Sequence, residues 1–186
     1  MTRRAAGGER PRSERELVAA LARLLAVRGY RTYVNPDGTD YFDLVARRGD
    51  EVGLVEAKIS DARTVLSQAL RRRAWGDWTA VALPGRVAAR RLADRTRGSR
   101  AEAVGIWVVH AGELEEVRAA RAWTVPGTDD PYAGLRARFR EILDALDRGG
   151  IPSEVPWSDV PGAVRRASHG RRFAEWRLDE PDPTVG

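Results

Sequence analysis

Phe42-Asp43-Leu44-Val45-Ala46-Arg47-Arg48-Gly49-Asp50-Glu51-Val52-Gly53-Leu54-Val55-Glu56-Ala57-Lys58 is two largely apolar runs broken by one small loop. Gly49-Asp50 as a two-residue loop fits a type II′ turn, with glycine at the first central position. Arg48 then pairs with Glu51, and counting outward Asp43 stands opposite Glu56. Like charges directly opposed on a sheet are destabilising. A divalent cation would offset that repulsion. Glu56 and Lys58 are two residues apart, so an extended strand points both to one face. Val52 and Leu54 share that face, while Val55, Ala57 and Ile59 face the other way. The hairpin thus gathers two carboxylates and one ammonium.

Lys58 stands out for a second reason. The chain has 32 lysines and arginines together, and Lys58 is the single lysine. Arginine is a planar, always-charged fork, whereas lysine is a compact point charge whose pKa can be tuned. A third carboxylate comes from upstream. Ser13-Glu14-Arg15-Glu16 reads as a capping box, with Ser13 as N-cap and Glu16 reaching back. It opens a helix over about 13–28, with Leu17, Leu21, Leu24 and Leu25 on its apolar stripe and Gly29 as its stop. On a helical wheel Glu14 lies within roughly 20° of Leu21 and Leu25, and Glu16 lies nearly opposite. Glu14 either meets the strand cluster through metal, water or Lys58, or serves only the helix dipole.

The parts suggest phosphodiester hydrolysis. Asp43 and Glu56 would hold Mg²⁺ (Mn²⁺ as substitute), with the Ala57 carbonyl as a further oxygen ligand. Lys58 would orient or help deprotonate the attacking water and stabilise developing negative charge. Competing chemistries are poorly supplied. The absence of cysteine removes disulfides, Cys-ligated zinc, iron–sulfur clusters and thiol catalysis. His110 and His169 have no partner at metal-ligand spacing, and His110, ending an apolar run, reads as structural.

These residues resemble the PD-(D/E)xK nuclease superfamily. Asp43, Glu56-Ala57-Lys58 and the helical Glu14 match its motif. Ser13-Glu14-Arg15-Glu16-Leu17-Val18 and Phe42-Asp43-Leu44-Val45-Ala46 look most like the archaeal-type Holliday junction resolvases. The resemblance covers about residues 13–83. It implies a restriction-endonuclease-like α/β fold, a mixed central sheet flanked by helices. It also implies Glu14, Asp43, and Glu56 with Lys58 as the three acidic and basic motif positions. Gln68 resembles a glutamine that supports the site in other branches; a surface glutamine is the alternative. Resolvases of that branch are usually compact dimers, so a homodimer is one expectation. This chain departs by adding roughly sixty unmatched residues and by entering a helix at Asp61 soon after Lys58.

The rest of the chain sets the organisation. At 186 residues, 42% hydrophobic, it is long enough for a substantial core. Residues 1–12 read as a flexible basic arm without the apolar core of a secretory signal. A nuclease-like domain spans 13–125, and 126–186 form a linker and helical extension. Further strands are expected at 31–34, 41–47, 51–59, 78–83 and 104–109, the last interior. Helices are expected from Asp61 to the Arg71-Arg72-Arg73 run, at about 87–96, around Leu135, Phe139, Ile142, Leu143 and Leu146, and near 162–173. No apolar run approaches the ~20 residues of a membrane span, so no membrane contact is expected, and the lack of cysteine makes a cytoplasmic protein the simplest expectation.

The formal net charge of +5 suits a polyanionic partner, with DNA favoured. Arg71, Arg72 and Arg73 either complement the helix dipole or contact phosphates. Arg47 and Arg48 at the hairpin tip, and Arg165, Arg166, Arg171 and Arg172 near the C-terminus, offer further basic sites. Trp75 and Trp78 read as core, with base stacking as the alternative. The favoured reading is a Mg²⁺-dependent DNA endonuclease. Its rivals are a non-catalytic nucleic-acid-binding module, or a subunit docking a protein partner through the C-terminal extension, and an RNA-cleaving toxin.

Overall fold

The computed structural model describes residues 10–34, 43–123 and 130–148. The helix expected near 162–173, with its four arginines, lies outside them. So does the start of the strand expected from Tyr41.

A six-stranded mixed sheet forms the centre. Its strands are β1 (Arg31–Val34), β2 (Leu44–Arg48), β3 (Glu51–Ala57), β4 (Trp78–Leu83), β5 (Gly105–His110) and β6 (Glu113–Arg118). They lie side by side in chain order. The pairs β1–β2, β2–β3 and β5–β6 are antiparallel, while β3–β4 and β4–β5 are parallel. Antiparallel neighbours need only tight turns, and the two parallel pairs need helical crossovers. These are α2 (Ala62–Arg71) with a 3₁₀ turn over Arg72–Ala74, and α3 (Arg86–Arg95).

The hairpin register is as expected. Arg48 pairs with Glu51 and Leu44 with Val55. Gly49 has φ of 61°, and Asp50 is not among the positive-φ residues, as a type II′ turn requires.

Helix α1 (Glu14–Val27) covers one face of the sheet. Leu17, Val18, Leu21 and Leu25 pack there on Leu44, Val55, Ala57, Ala80, Ala82 and Val109. The Ser13 hydroxyl accepts from the Glu16 amide at 3.1 Å. The Glu16 carboxylate reaches one residue further back than expected, accepting from the Arg12 amide at 2.7 Å. Gly29, at φ 82°, takes the left-handed turn that ends the helix. Helices α2 and α3 cover the other face, where Val65, Ala69, Ala89 and Leu92 meet Val81, Leu83, Ile106 and Val108.

Two features differ from expectation. Strand β6 follows β5 through Ala111-Gly112, both at positive φ, and fills the sheet edge beyond β5. Its Glu-Leu-Glu-Glu-Val-Arg sequence carries little β signal, since four of its six residues are charged. Second, the helix expected within the C-terminal extension belongs to the same packed body. In α4 (Ala133–Arg148) Phe139 and Leu143 are fully buried. Arg136 of α4 donates to the carbonyls of Gly76 at 2.8 Å and Arg73 at 3.1 Å. Tyr33 donates to Asp147 at 2.7 Å. Helix α4, from the expected extension, thus packs against the sheet and the turn before β4.

Trp75 and Trp78 are interior. Trp75 meets Phe139 edge-on, and Trp78 packs against Trp107 and Tyr30. The Trp78 ring lies over Gly53, where a β-carbon would stand 2.0 Å from ring atoms. The ring is fixed by Glu51, which accepts from its indole nitrogen at 2.8 Å. Gly53→Ala should therefore destabilise the fold by ~1–3 kcal/mol through overpacking. Urea denaturation reads this, and an unchanged midpoint would refute the close approach.

Candidate functional site

The candidate site forms where β3 ends and β2 begins. The β2–β3 register, carried one step beyond Leu44–Val55, sets Asp43 across from Glu56. One Asp43 oxygen, Oδ2, accepts from the Ala57 amide at 2.8 Å. Thus Asp43 is tied to the β3 backbone beside its fellow carboxylate. Lys58 lies just past β3, and its amide donates to the Ala82 carbonyl of β4 at 3.2 Å. This contact fixes the chain from which the ammonium projects.

Glu14 reaches the cluster from α1. Lys58 Nζ donates to its Oε2 at 2.9 Å. Of the partners considered for Glu14, the structure supplies Lys58. The pair is open to solvent, with side-chain exposures of 26% for Lys58 and 45% for Glu14. Glu14 is therefore at the rim of the helix stripe rather than under it. Glu16 is occupied with the cap of its own helix.

Glu56 is the outlier, at 1% exposure. Burial of a carboxylate favours its neutral form. Its pKa is pushed up from 4.5 to about 8, first by burial. The Arg72 guanidinium opposes the rise, and the Asp43 charge and hydrogen bond add to it. Lys58 is also raised, above 10.5, chiefly by its hydrogen bond to Glu14. That favours the ammonium and turns Lys58 away from deprotonating water. Charge stabilisation and orientation are the roles its environment permits.

Arg72 was expected to serve the helix dipole or a phosphate. The structure turns it inward, where its guanidinium forms an ion pair with Glu56 Oε1. The sequence held the signal: Val65, Gln68 and Arg72 recur at helical spacing on the face that meets the sheet. Gln68, one turn before Arg72, is half-buried, and its Oε1 has no hydrogen-bond partner among the described residues. Arg71 is exposed and donates to Ser67. Arg73 is half-buried, with its carbonyl held by Arg136.

Arg47 and Arg48 sit elsewhere. Five residues separate Glu51 from Glu56, so the hairpin tip is roughly 17 Å along the strand. Arg47 is engaged by Asp144 at 2.6 Å and Asp147 at 3.4 Å. Arg48 pairs with Glu51 and lies over the Tyr30 ring. Both are committed to internal partners, because α4 brings acidic side chains that sequence spacing could not place. His110, expected to be structural, is instead exposed at the end of β5.

The donors fit a hard divalent cation in type: carboxylate oxygens from Asp43 and Glu56, and the Ala57 carbonyl. Magnesium is commonly held by one or two carboxylates plus water and substrate phosphate. Burial, more than any neighbouring charge, raises Glu56, and Arg72 opposes that rise. Among the described residues, no group of three or more His, Asp or Glu is placed to hold an ion. Asp43 and Glu56 are the two carboxylates that face each other across the hairpin, while Glu14 is engaged with Lys58.

No protein-family model and no curated protein matches the chain. Among solved structures, SPO1766, a protein of unknown function from Silicibacter pomeroyi, is similar over 87% of this chain and 97% of its own. The identity is 17% and the TM-score 0.45. The site is accordingly read from its own chemistry.

Between pH 4.5 and about 8 the folded chain keeps a proton on Glu56 that the unfolded chain has lost. Stability from this group is thus fully present below the lower value and lost as pH rises through the upper one. In EDTA, denaturant midpoints should fall from about pH 5 to about pH 9, and Glu56→Gln should flatten that fall. An equal fall in the variant would assign it to other groups.

Proposed function

We propose that the chain is a metal-dependent endonuclease hydrolysing phosphodiester bonds in DNA, acting in the cytoplasm in repair, recombination, restriction or phage defence. The carrying observation is the Asp43–Glu56 pair opposed across one hairpin, with Lys58 beside it on the same sheet edge. Magnesium bound there by Asp43, Glu56 and the Ala57 carbonyl would supply an acidified water and neutralise phosphate charge. In the reaction, water adds to phosphorus and one P–O ester bond breaks. Lys58, held as an ammonium, faces the negative charge that builds on the phosphate oxygens. Glu14 positions that ammonium. Glu16, Ser13 and Arg12 hold the helix end from which Glu14 projects.

One observation favours a second reading. Arg72 already supplies a positive charge to Glu56. A site closed by its own guanidinium suits a nucleic-acid-binding module that does not cut. The two readings part on one experiment: incubation of labelled duplex, single-stranded and branched DNA, and of RNA, with Mg²⁺, Mn²⁺ or EDTA. Metal-dependent cutting of DNA supports the nuclease. Binding to DNA without cutting under any metal supports the module.

Lys58→Ala should lower kcat by at least ~10²-fold, as loss of one preorganised charge donor does. DNA binding and melting temperature should stay near wild type, and full activity would remove the assignment. Lys58→Arg should restore little, since the guanidinium is bulkier and differently shaped. Glu14→Gln should reduce cleavage more than Glu16→Gln at matched folded fraction. The reverse order would show that α1 contributes only its cap.

A further inference from the structure

Glu56 and Arg72 form the more buried of the two ion pairs in the candidate site, with side-chain exposures of 2% and 13%. Glu56 is also one of the carboxylates on which a divalent cation would depend. We propose that Arg72 and the metal are alternative counter-ions of Glu56: the metal displaces the guanidinium from the carboxylate, and a backbone phosphate of the DNA receives it. Arg72 thus holds the site closed until metal and DNA are present together. This exchange deepens the nuclease reading, and rests on it for the identity of the phosphate.

Three features of the site lead there. The first is charge. Asp43 lies across the hairpin from Glu56, and Glu14 holds Lys58. With its carboxyls ionised, the site sets three negative charges against the positive charges of Lys58 and Arg72. One divalent cation turns that shortfall into an excess of one positive charge. A divalent cation together with one phosphodiester brings the site to neutrality. Unmatched charge is costly where water is scarce. Second, the chain at Arg72 is held by its backbone. Its amide donates to the carbonyls of Gln68 and Leu70, and its own carbonyl accepts from the Trp75 amide at 3.1 Å. The junction of α2 with the 3₁₀ turn therefore persists when the side chain turns away, and that side chain already reaches solvent along one edge. Third, an acceptor is left over. One turn before Arg72, Gln68 has a buried Oε1 without a hydrogen-bond partner among the described residues. Buried oxygens normally have partners, so Arg72 does not complete the polar matching on this side of α2.

A metal ion and a guanidinium on one carboxylate repel each other, and the repulsion grows with the charge of the ion. A doubly charged cation feels Arg72 twice as strongly as a proton at the same place. Removing the Arg72 charge therefore favours the metal even against protonation of Glu56. Phosphate is the matching acceptor for the released group, because a guanidinium meets its oxygens through two parallel hydrogen bonds. Arginine also stays charged in any surroundings, which suits a side chain that changes partner without changing charge. The exchange is reciprocal by linkage. DNA that takes Arg72 raises the affinity for metal, and metal that frees Arg72 raises the affinity for DNA.

The experiment is Mn²⁺ binding by the full chain, read from the electron paramagnetic resonance of the free ion, with and without a short DNA duplex. The duplex is titrated alone so that its own Mn²⁺ uptake is subtracted. Wild type, Arg72→Gln, Arg72→Lys and Glu56→Gln are compared, with circular dichroism to fix the folded fraction. Without DNA, Arg72→Gln should bind Mn²⁺ at least ~10-fold more tightly than wild type. Arg72→Lys, which keeps the charge, should stay within a few fold of wild type, and Glu56→Gln should bind more weakly than either. DNA should tighten Mn²⁺ binding by wild type at least ~5-fold and by Arg72→Gln less. Mn²⁺ affinity in Arg72→Gln no higher than in wild type overturns the exchange. An equal effect of DNA on both proteins overturns phosphate as the acceptor. Wild type alone gives a second check that does not depend on a variant folding. The Arg72 Nε–H, followed in nitrogen-15 spectra, should exchange faster with water as Mg²⁺ saturates, and unchanged protection overturns the exchange. Failure of the nuclease reading shows differently, as absence of cutting by wild type with Mg²⁺ while the Mn²⁺ and Arg72 effects persist.

Discussion

A carboxylate at 1% exposure, Glu56, is the constraint around which one end of this molecule is arranged. Burying a charge without partners is too costly to survive in a fold, so its neighbours or its protonation must answer for it. Here both do. Arg72 is brought to it by α2, whose first turn is fixed by Asp61 accepting from the Thr64 amide at 3.1 Å. Asp43 is brought to it by the hairpin register and makes its burden heavier. Lys58 follows two residues later, outside the core, on chain anchored to β4. The site therefore comes from strand pairing and one crossover helix, elements that also hold the sheet together.

The two cations near this carboxylate pair differ for a physical reason. Arg72, with a side chain only 13% exposed, forms an internal ion pair. A rigid guanidinium loses less freedom per bond formed and stays charged when dried. Lys58, more exposed and held by Glu14, keeps a compact charge at the solvent side. The same logic explains much of the arginine elsewhere. Arg136 binds two carbonyls, and Arg118 donates to the carbonyls of Val104 and Ala101, each at 2.9 Å, and to Thr96 at 2.7 Å. These arginines are structural connectors. The net positive charge therefore overstates how much basic surface remains for a polyanion.

The hairpin was legible because a two-residue Gly-Asp loop leaves no freedom in register, and period two then fixes the faces. Helix α1 was legible from its cap, its leucine stripe and Gly29. Strand β6 was not, because an edge strand with one side toward water can carry glutamates, and its turn uses Ala111 at φ 53°, a conformation alanine rarely marks. The seat of α4 was also hidden. Phe139 and Leu143 announce a buried face, but nothing in their spacing says that it closes over the hairpin. Arg72 was read as a surface cation although its spacing from Val65 and Gln68 pointed inward. Periodicity indicates which side of a helix is buried. It does not say which buried group an arginine on that side will meet.

The sheet has two ends, and they are treated differently. At the hairpin tip Arg47, Arg140 and Tyr33 are matched by Asp144, Asp77 and Asp147, so charge there is spent on joining α4 to the sheet. At the opposite end, where the parallel strands finish, the described cations are less fully matched. Lys58 has one partly exposed carboxylate, Glu14, and Arg91 of α3 is exposed. Charge already neutralised by α4 has little left to offer a ligand, and for that reason the hairpin tip is the weaker place to look for one.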